Sequence, residues 1–502
     1  MRSRTLLKSL LLASAIIFPA NAQELRIGLQ DDADVLDPDQ SRTFVGRIVY
    51  TALCDKLVDI TPDLKIIPQL ATDWSWSDDG TKLTMALREG VVFHDGTPFD
   101  AEAVKANIER SKTLPESRRK SELSSVDTVE VTGSHEVEIS LTGADATLLA
   151  QFADRSGMML SPTATEAKGV EFGLEPVCSG PFSFVERVQQ DRIVLAKFED
   201  YWNADAIHVD RLVYLPIPDT TVRLANLRAG DLHLLERLAA TDVASVMEDA
   251  TLTMAEAVSL GYQGITFNVG NGERSATPLG EDNRVRQALE LSIDREALNQ
   301  VVFEGAFMPG NQPFPPTSPW YNKDVPIPAR DVEAARALLA EAGVDRLSFE
   351  MQVTNSPVEM QVAQVIQSMA AEVGFDIDIV AKEFAAMLED QTAGLYQATR
   401  VGWSGRVDPD GNIHQFMTCE GGINDSKHCN PEIDKLLDEA RTNNDPAARK
   451  AAYDGSRAIL EEDLPIIYLY HQTWIWSMTN RLEGFIPYPD GMIRLENVKL
   501  GS

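Results

Sequence analysis

The chain has 502 residues and a formal net charge of −32, with 45 basic and 77 acidic side chains. That acidity makes nucleic acid and anionic lipid surfaces poor partners, and it favours solubility and resistance to self-association. Seven His with no HExxH motif and no Cys/His ligand spacing argue against a dedicated metal site, and no P-loop is present.

At the N-terminus Arg2, Arg4 and Lys8 form a basic region, residues 10–18 an apolar core, and Ala20-Asn21-Ala22 an A-x-A cleavage site. Residues 1–22 are therefore expected to be a secretory signal peptide cleaved after Ala22, releasing a soluble periplasmic protein. The apolar run is too short for a stable membrane span, and no later segment is apolar for long enough. The first Cys is Cys54, so no lipid-anchor Cys follows the cleavage site. What remains is long for one hydrophobic core, and two or three packed units are expected.

Residues 25–29 alternate as a first strand, and 41–57 carry a helical pattern through Phe44, Ile48 and Ala52. Residues 68–104 read PQLATDWSWSDDGTKLTMALREGVVFHDGTPFDAEAV. Asp79-Gly80 is a tight-turn pair in which Gly supplies a positive φ. On either side Trp74/Trp76 and Leu83/Met85/Leu87 alternate with polar residues, which predicts a half-buried hairpin. Asp95-Gly96 makes a second turn, and Asp100 can cap a helix beginning at Ala101. Strand-like runs follow at 128–131, 137–141, 182–184, 193–198 and 211–217, then short helices at 219–229 and 240–247 and a strand at 262–269.

Beyond this point the pattern turns helical. Val285, Ala288, Leu289 and Ile293 recur at helical spacing, and Asp294 caps the next helix. Asp331 caps a helix over 331–342 that Gly343 stops. Val358, Val362, Ile366, Met369 and Val373 give one apolar face, followed by a strand at 375–380. Helices are predicted at 431–441 and 446–461, and the uncharged run 464–470 reads as a buried strand. Strands alternating with helices imply an α/β fold. Four Cys outside the cytoplasm suggest two disulfides, for which the sequence permits three pairings. Cys419 and Cys429 are spaced to staple a local loop, which leaves Cys54 and Cys178 for each other.

The segment "LA..W.....G....LR.GV.FHDG.PF.A..V" within 68–104 resembles the family 5 extracellular solute-binding proteins, the dipeptide, oligopeptide and nickel receptors of bacterial ABC importers. Residues 178–203, CSGPFSFVERVQQDRIVLAKFEDYWN, are similar to a second family segment, with Cys178-Ser179 where Gly-Thr is more usual. Residues 285–321, VRQALELSIDREALNQVVFEGAFMPGNQPFPPTSPWY, and 464–472, LPIIYLYHQ, resemble two more. The resemblance spans nearly the whole mature chain. It implies a periplasmic-binding-protein-like α/β fold of two lobes joined by two crossing segments, with an extra inserted domain. The first lobe is placed at 23–59, 180–264 and 479–502, the insert at 60–179, and the second lobe at 265–478.

In this family the ligand is enclosed between the lobes. Residues 402–412, GWSGRVDPDGN, resemble the family's cleft loop, in which Trp packs on the ligand. That role falls to Trp403 here. In peptide-binding members an Asp three residues after the Trp pairs with the peptide's α-ammonium, and here that position is Arg406. A guanidinium repels an ammonium and favours a carboxylate or another anion. The loop is one residue shorter than in those relatives, which could bring Asp408 toward the ligand. The alternative is that Arg406 points to solvent or pairs with Asp408 or Asp410. Phe44, Tyr50, Arg155, Tyr262 and Gln263 are further cleft candidates by position, with packing or hinge roles as the alternative for each. The His94-Asp95 pair belongs to the signature turn and reads as structural.

The expected function is the periplasmic binding component of an ABC importer. It would act as a monomer, without a cofactor, and deliver a peptide or similar polar, anionic solute to the permease. A haem or metal-chelate carrier of the same fold is the alternative. A periplasmic hydrolase is a weaker one, because a G-x-S-x-G elbow around Ser404 would need Gly where Arg406 stands. A sensory or chaperone-like binding module would share the fold.

Overall fold

The computed structural model describes residues 23–501, so the signal-peptide reading for 1–22 lies outside the described residues. Two mixed sheets dominate. The first runs in the order Leu252–Val258, Thr473–Thr479, Leu234–Leu235, Glu24–Leu29, Arg211–Pro216, Arg192–Lys197 and Phe182–Val188. Glu24–Leu29 sits inside it, parallel to both neighbours, and its Leu25 and Ile27 are fully buried.

The second sheet runs Met308–Pro309, Ile466–His471, Tyr262–Phe267, Ala398–Trp403, Leu347–Thr354 and Phe375–Lys382. Helix Pro357–Ala371 covers it, burying Val362, Ala363, Ile366 and Ala370 at helical spacing against Met351 and Phe375. A third, antiparallel sheet runs Ala71–Trp76, Lys82–Leu87, Glu136–Leu141 and Val126–Gly133, with its own core of Leu83, Met85, Val137 and Ile139. Here the predicted hairpin forms with Gly80 at φ 68°, and the Asp100 carboxylate accepts from Ala103 N at 3.0 Å. Trp76, opposite Leu83 on an edge strand, stays 37% exposed. Asp95 accepts from Ser161 Oγ at 2.6 Å, and His94 Nε2 lies 2.9 Å from Gly180 O, so both serve the turn.

The chain passes between the two large sheets twice, at residues 259–261 and at Gln472. The two crossings lie side by side: Ser259 N donates to Gln472 O at 3.0 Å, and Gln263 Nε2 donates to Gln472 Oε1 at 3.3 Å. Gly261 is required here, because a Cβ would sit 1.7 Å from Trp403 O. These crossings move the expected boundaries. Tyr262–Phe267 pairs wholly within the second sheet, and Thr473–Thr479 pairs within the first. The apolar run around them hid the switch, since Gln472 barely interrupts it.

Strands Leu252–Val258, Leu347–Thr354 and Ala398–Trp403 went unpredicted, and residues 402–412 are not one loop. Trp403 ends a strand, and Asp410 begins helix Asp410–Met417. Cys54 pairs with Cys178 and Cys419 with Cys429, with Cα–Cα distances of 4.8 and 4.5 Å.

Candidate functional site

The lobes meet across a closed cleft. Arg42 pairs with Asp425, Arg47 Nη1 donates to Ser404 Oγ at 3.0 Å, and Arg406 Nε lies 2.9 Å from Asp154 Oδ2. Two of the cavities between the lobes meet at Trp403. The first is walled by Tyr262, Phe384, Val401, Trp403, Phe416 and Ile466, with Arg42, Arg119 and Arg155 among its polar lining. The second is lined by Asp31, Phe44, Arg237, Gln263, Glu359 and Arg400 among others. They share Arg42, Phe384, Val401, Gly402 and Trp403, so Trp403 stands between two compartments of one site.

A buried cluster of guanidiniums borders the first cavity. Asp154 caps the short turn Arg155–Gly157: its Oδ1 accepts from Arg155 N at 2.6 Å, which fixes the carboxylate. Its Oδ2 is then shared by Arg47 Nη2 at 2.5 Å and Arg406 Nε. Burial presses the Asp154 pKa upward, but Arg406, Arg47 and Arg155 outweigh it and hold the carboxyl far below its ordinary range. Glu122 accepts from Arg119 Nη1 and Ser156 Oγ, each at 2.5 Å. The cluster therefore sets four buried cations, Arg47, Arg119, Arg155 and Arg406, against two buried carboxylates. Burial and then Arg119 push the Arg155 pKa down to about 10, and burial and then Arg47 push that of Arg406 well down. An arginine keeps its proton even so, and the excess positive charge attracts an anion. Arg119 Nε, Arg155 Nε and Arg406 Nη2 are buried donors with no acceptor among the described residues.

The second cavity is more nearly balanced. Glu359 lies 2.6 Å from Arg400 Nη1, and Glu236 3.4 Å from Arg237 Nε. Asp31 follows strand Glu24–Leu29, is 8% exposed, and lines this cavity. Burial raises its pKa to about 7, against the pull of Arg237.

Of the residues expected from sequence, Trp403 and Tyr262 line the first cavity with Arg155, while Phe44 and Gln263 line the second with Trp403. Trp403 is held by its Nε1–H donated to Asn412 Oδ1 at 3.0 Å and by Phe416 packed edge-on at 4.9 Å. Phe44 stacks on Trp474 at 4.6 Å, and Gln263 Oε1 accepts from Arg400 Nη1 at 3.0 Å.

Three expectations need correction. Tyr50 is fully buried in the first lobe's core, with its hydroxyl donating to Val35 O. Six residues beyond Phe44 is about 240° round the helix, so it faces away from the cleft. Asp408 is gripped by Arg449 at 2.9 and 2.6 Å and lines neither cavity. Arg406 pairs with Asp154, not with Asp408 or Asp410, and stands behind Trp403 with its guanidinium 4.1 Å from the ring centroid. Asp410 is taken by Arg441 at 2.7 Å.

Sequence reasoning missed Asp31, Arg42, Arg119, Glu359 and Arg400. Arg119 lies in a run, SRRKSE, that reads as a solvated charged stretch. Asp31 had a usable signal: it follows the C-terminal end of a central strand, where ligands of open α/β sheets sit. Ser404 Oγ accepts from Arg47, a cation that cannot take its proton, so the pair does not form a nucleophile and base. Among the described residues no three His, Cys, Asp or Glu side chains group to hold a metal ion, and no helix is long and apolar enough to cross a membrane.

A family model for bacterial extracellular solute-binding proteins, family 5 Middle, matches residues 65–424. The chain is 28% identical to a dipeptide-binding protein of Escherichia coli strain K12 over 469 residues, covering 87% of this chain and 86% of the relative. It is likewise 28% identical to a glutathione-binding protein of Pectobacterium atrosepticum, covering 93% and 92%. The crystal structure of a dipeptide-binding protein from Pseudoalteromonas sp. SM9913 in complex with Met-Leu superposes with a TM-score of 0.88 at 24% identity, covering 95% of this chain and all of that one.

Proposed function

Because this chain belongs to the family 5 bacterial extracellular solute-binding proteins, we propose that it captures a peptide or similar-sized solute bearing an anionic group and delivers it to the permease of an ABC importer. It works in the periplasm as a monomer, released by cleavage after Ala22 and carrying no lipid-anchor Cys. It binds without chemistry, since Ser404 faces a donor and not a base. Solute shifts an equilibrium toward the closed form by bridging groups on both sides of the cleft, and closure signals occupancy to the permease.

The excess of guanidinium over carboxylate at the first cavity carries the anionic part of this reading. Arg119 and Arg155 reach the lining, and Arg406 adds its field from behind Trp403. The relatives' named ligands, a dipeptide and glutathione, both carry carboxylates.

Arg155→Met tests it, since the substitution leaves the pairs of Asp154 with Arg47 and Arg406 and of Arg119 with Glu122 in place. Calorimetry with glutathione and Ala-Glu, alongside mass spectrometry of co-purifying solute, is expected to show a loss of roughly 2–5 kcal/mol in affinity for the anionic ligand. Unchanged affinity sinks the anion reading and leaves the transport role standing.

A further inference from the structure

The resemblance to peptide receptors implies a carboxylate after the cleft Trp to receive the ligand's ammonium, and that carboxylate is missing here. Arg406 occupies its position and is itself committed to Asp154. A ligand amine brought to that end would meet the excess positive charge of Arg47, Arg119, Arg155 and Arg406. Any amine must therefore be received elsewhere in the cleft.

Among the described residues, one buried carboxylate lining the two cavities accepts no hydrogen bond. Asp31 is more than nine-tenths buried and lines the second cavity, and no hydrogen bond or ion pair reaches its side chain among the described residues. Its acidic neighbours differ in this respect: Glu359 is paired with Arg400, and Glu236 Oε1 accepts from Gln30 N at 2.7 Å. A buried carboxylate without donors is costly to keep, and the cost is met when a ligand supplies N–H groups. Phe44 and Trp403 line the same cavity, but Trp474 and Arg237 already lie against the Phe44 ring and Arg406 against Trp403, so the carboxylate is what this cavity offers an amine.

We propose that Asp31 binds the protonated amine of the transported solute, and that the solute lies with its amine toward the first lobe's strand end and its acid toward Arg119 and Arg155. The inference rests on the anion reading above and adds a second, opposite pole. The solute is then an aminated acid spanning both compartments past Trp403, in reverse of the polarity that the resemblance implies.

The test uses glutathione, Ala-Glu and Met-Leu, each free and with its amine acetylated, by thermal shift and calorimetry on the full mature chain. At least one free-amine compound is expected to bind about tenfold or more tightly than its acetylated form. Asp31→Asn should erase that difference while melting cooperatively, and Arg155→Met should weaken both forms alike. Equal binding of free and acetylated forms, or a preference that survives Asp31→Asn, overturns this inference and leaves the anion reading intact. Failure of all six compounds to bind overturns both.

Discussion

Asp31→Asn gives a stability test of the same residue that needs no ligand. In the unfolded chain Asp31 loses its proton near 3.8, whereas in the folded protein burial holds it until about 7. Moving that pKa is worth about 4 kcal/mol, at about 1.4 kcal/mol per tenfold change in proton affinity. The sign follows from linkage: a raised carboxyl pKa leaves its stability contribution intact below about pH 4. That contribution then drains away as pH rises through 7. The amide that replaces the carboxyl does not titrate. The substitution should therefore be close to neutral at pH 4 and stabilising by up to about 4 kcal/mol at pH 8. Asp55, also pushed up to about 7 by burial, and Asp39, pushed up to about 6 by burial and then Asp37, impose a similar slope on the parent. For that reason the quantity to follow is the difference between variant and parent in urea unfolding across this pH range. A difference that stays flat with pH would refute the argument that Asp31 is buried without adequate compensation. The expected gain is that of a binding site relieved of its function, stability having been given up to hold a charge ready.

Three other outcomes are expected. Asp154→Asn strips the carboxylate from Arg47 and Arg406, costs roughly 3–5 kcal/mol, and opens the ligand-free protein, so small-angle scattering should report a larger radius of gyration. An unchanged radius counts against Asp154 as a clasp between the lobes. Replacing Cys54 and Cys178 together by Ala, across a sequence separation of 124, should cost roughly 3–5 kcal/mol on the chain-entropy model, read from the melting temperature of the double variant. Ser404→Ala should leave any trace esterase signal of a preparation where it was, and a loss of turnover would revive the hydrolase reading.

Local structure was legible because its causes are local. Asp100 before Ala101, Asp331 before Val332 and the Gly80 turn each depend on neighbours a few residues away, and all three form as expected. The motif in residues 68–104 gave the family, yet its residues build the small third sheet and line neither cavity. Trp403, Phe44, Arg155, Tyr262 and Gln263, expected by position in that family pattern, each line one of the two cavities, since position along the fold decides which side chains can reach the cleft.

What charge does in the cleft was not legible. Arg406 and Asp154 stand far apart in sequence, as do Arg449 and Asp408, and among the described residues no hydrogen bond or ion pair reaches the Asp31 side chain. By itself the sequence determined the repeating patterns that make strands, helices, caps and turns, and with them the family. Only the tertiary structure decided that Arg406 pairs with Asp154, that Asp408 belongs to Arg449, and that Asp31 is buried at the edge of a cavity. The physical reason is that an ion pair is set by distance and burial once the chain has folded. A charged residue read in one dimension carries no record of which opposite charge the fold will bring to it.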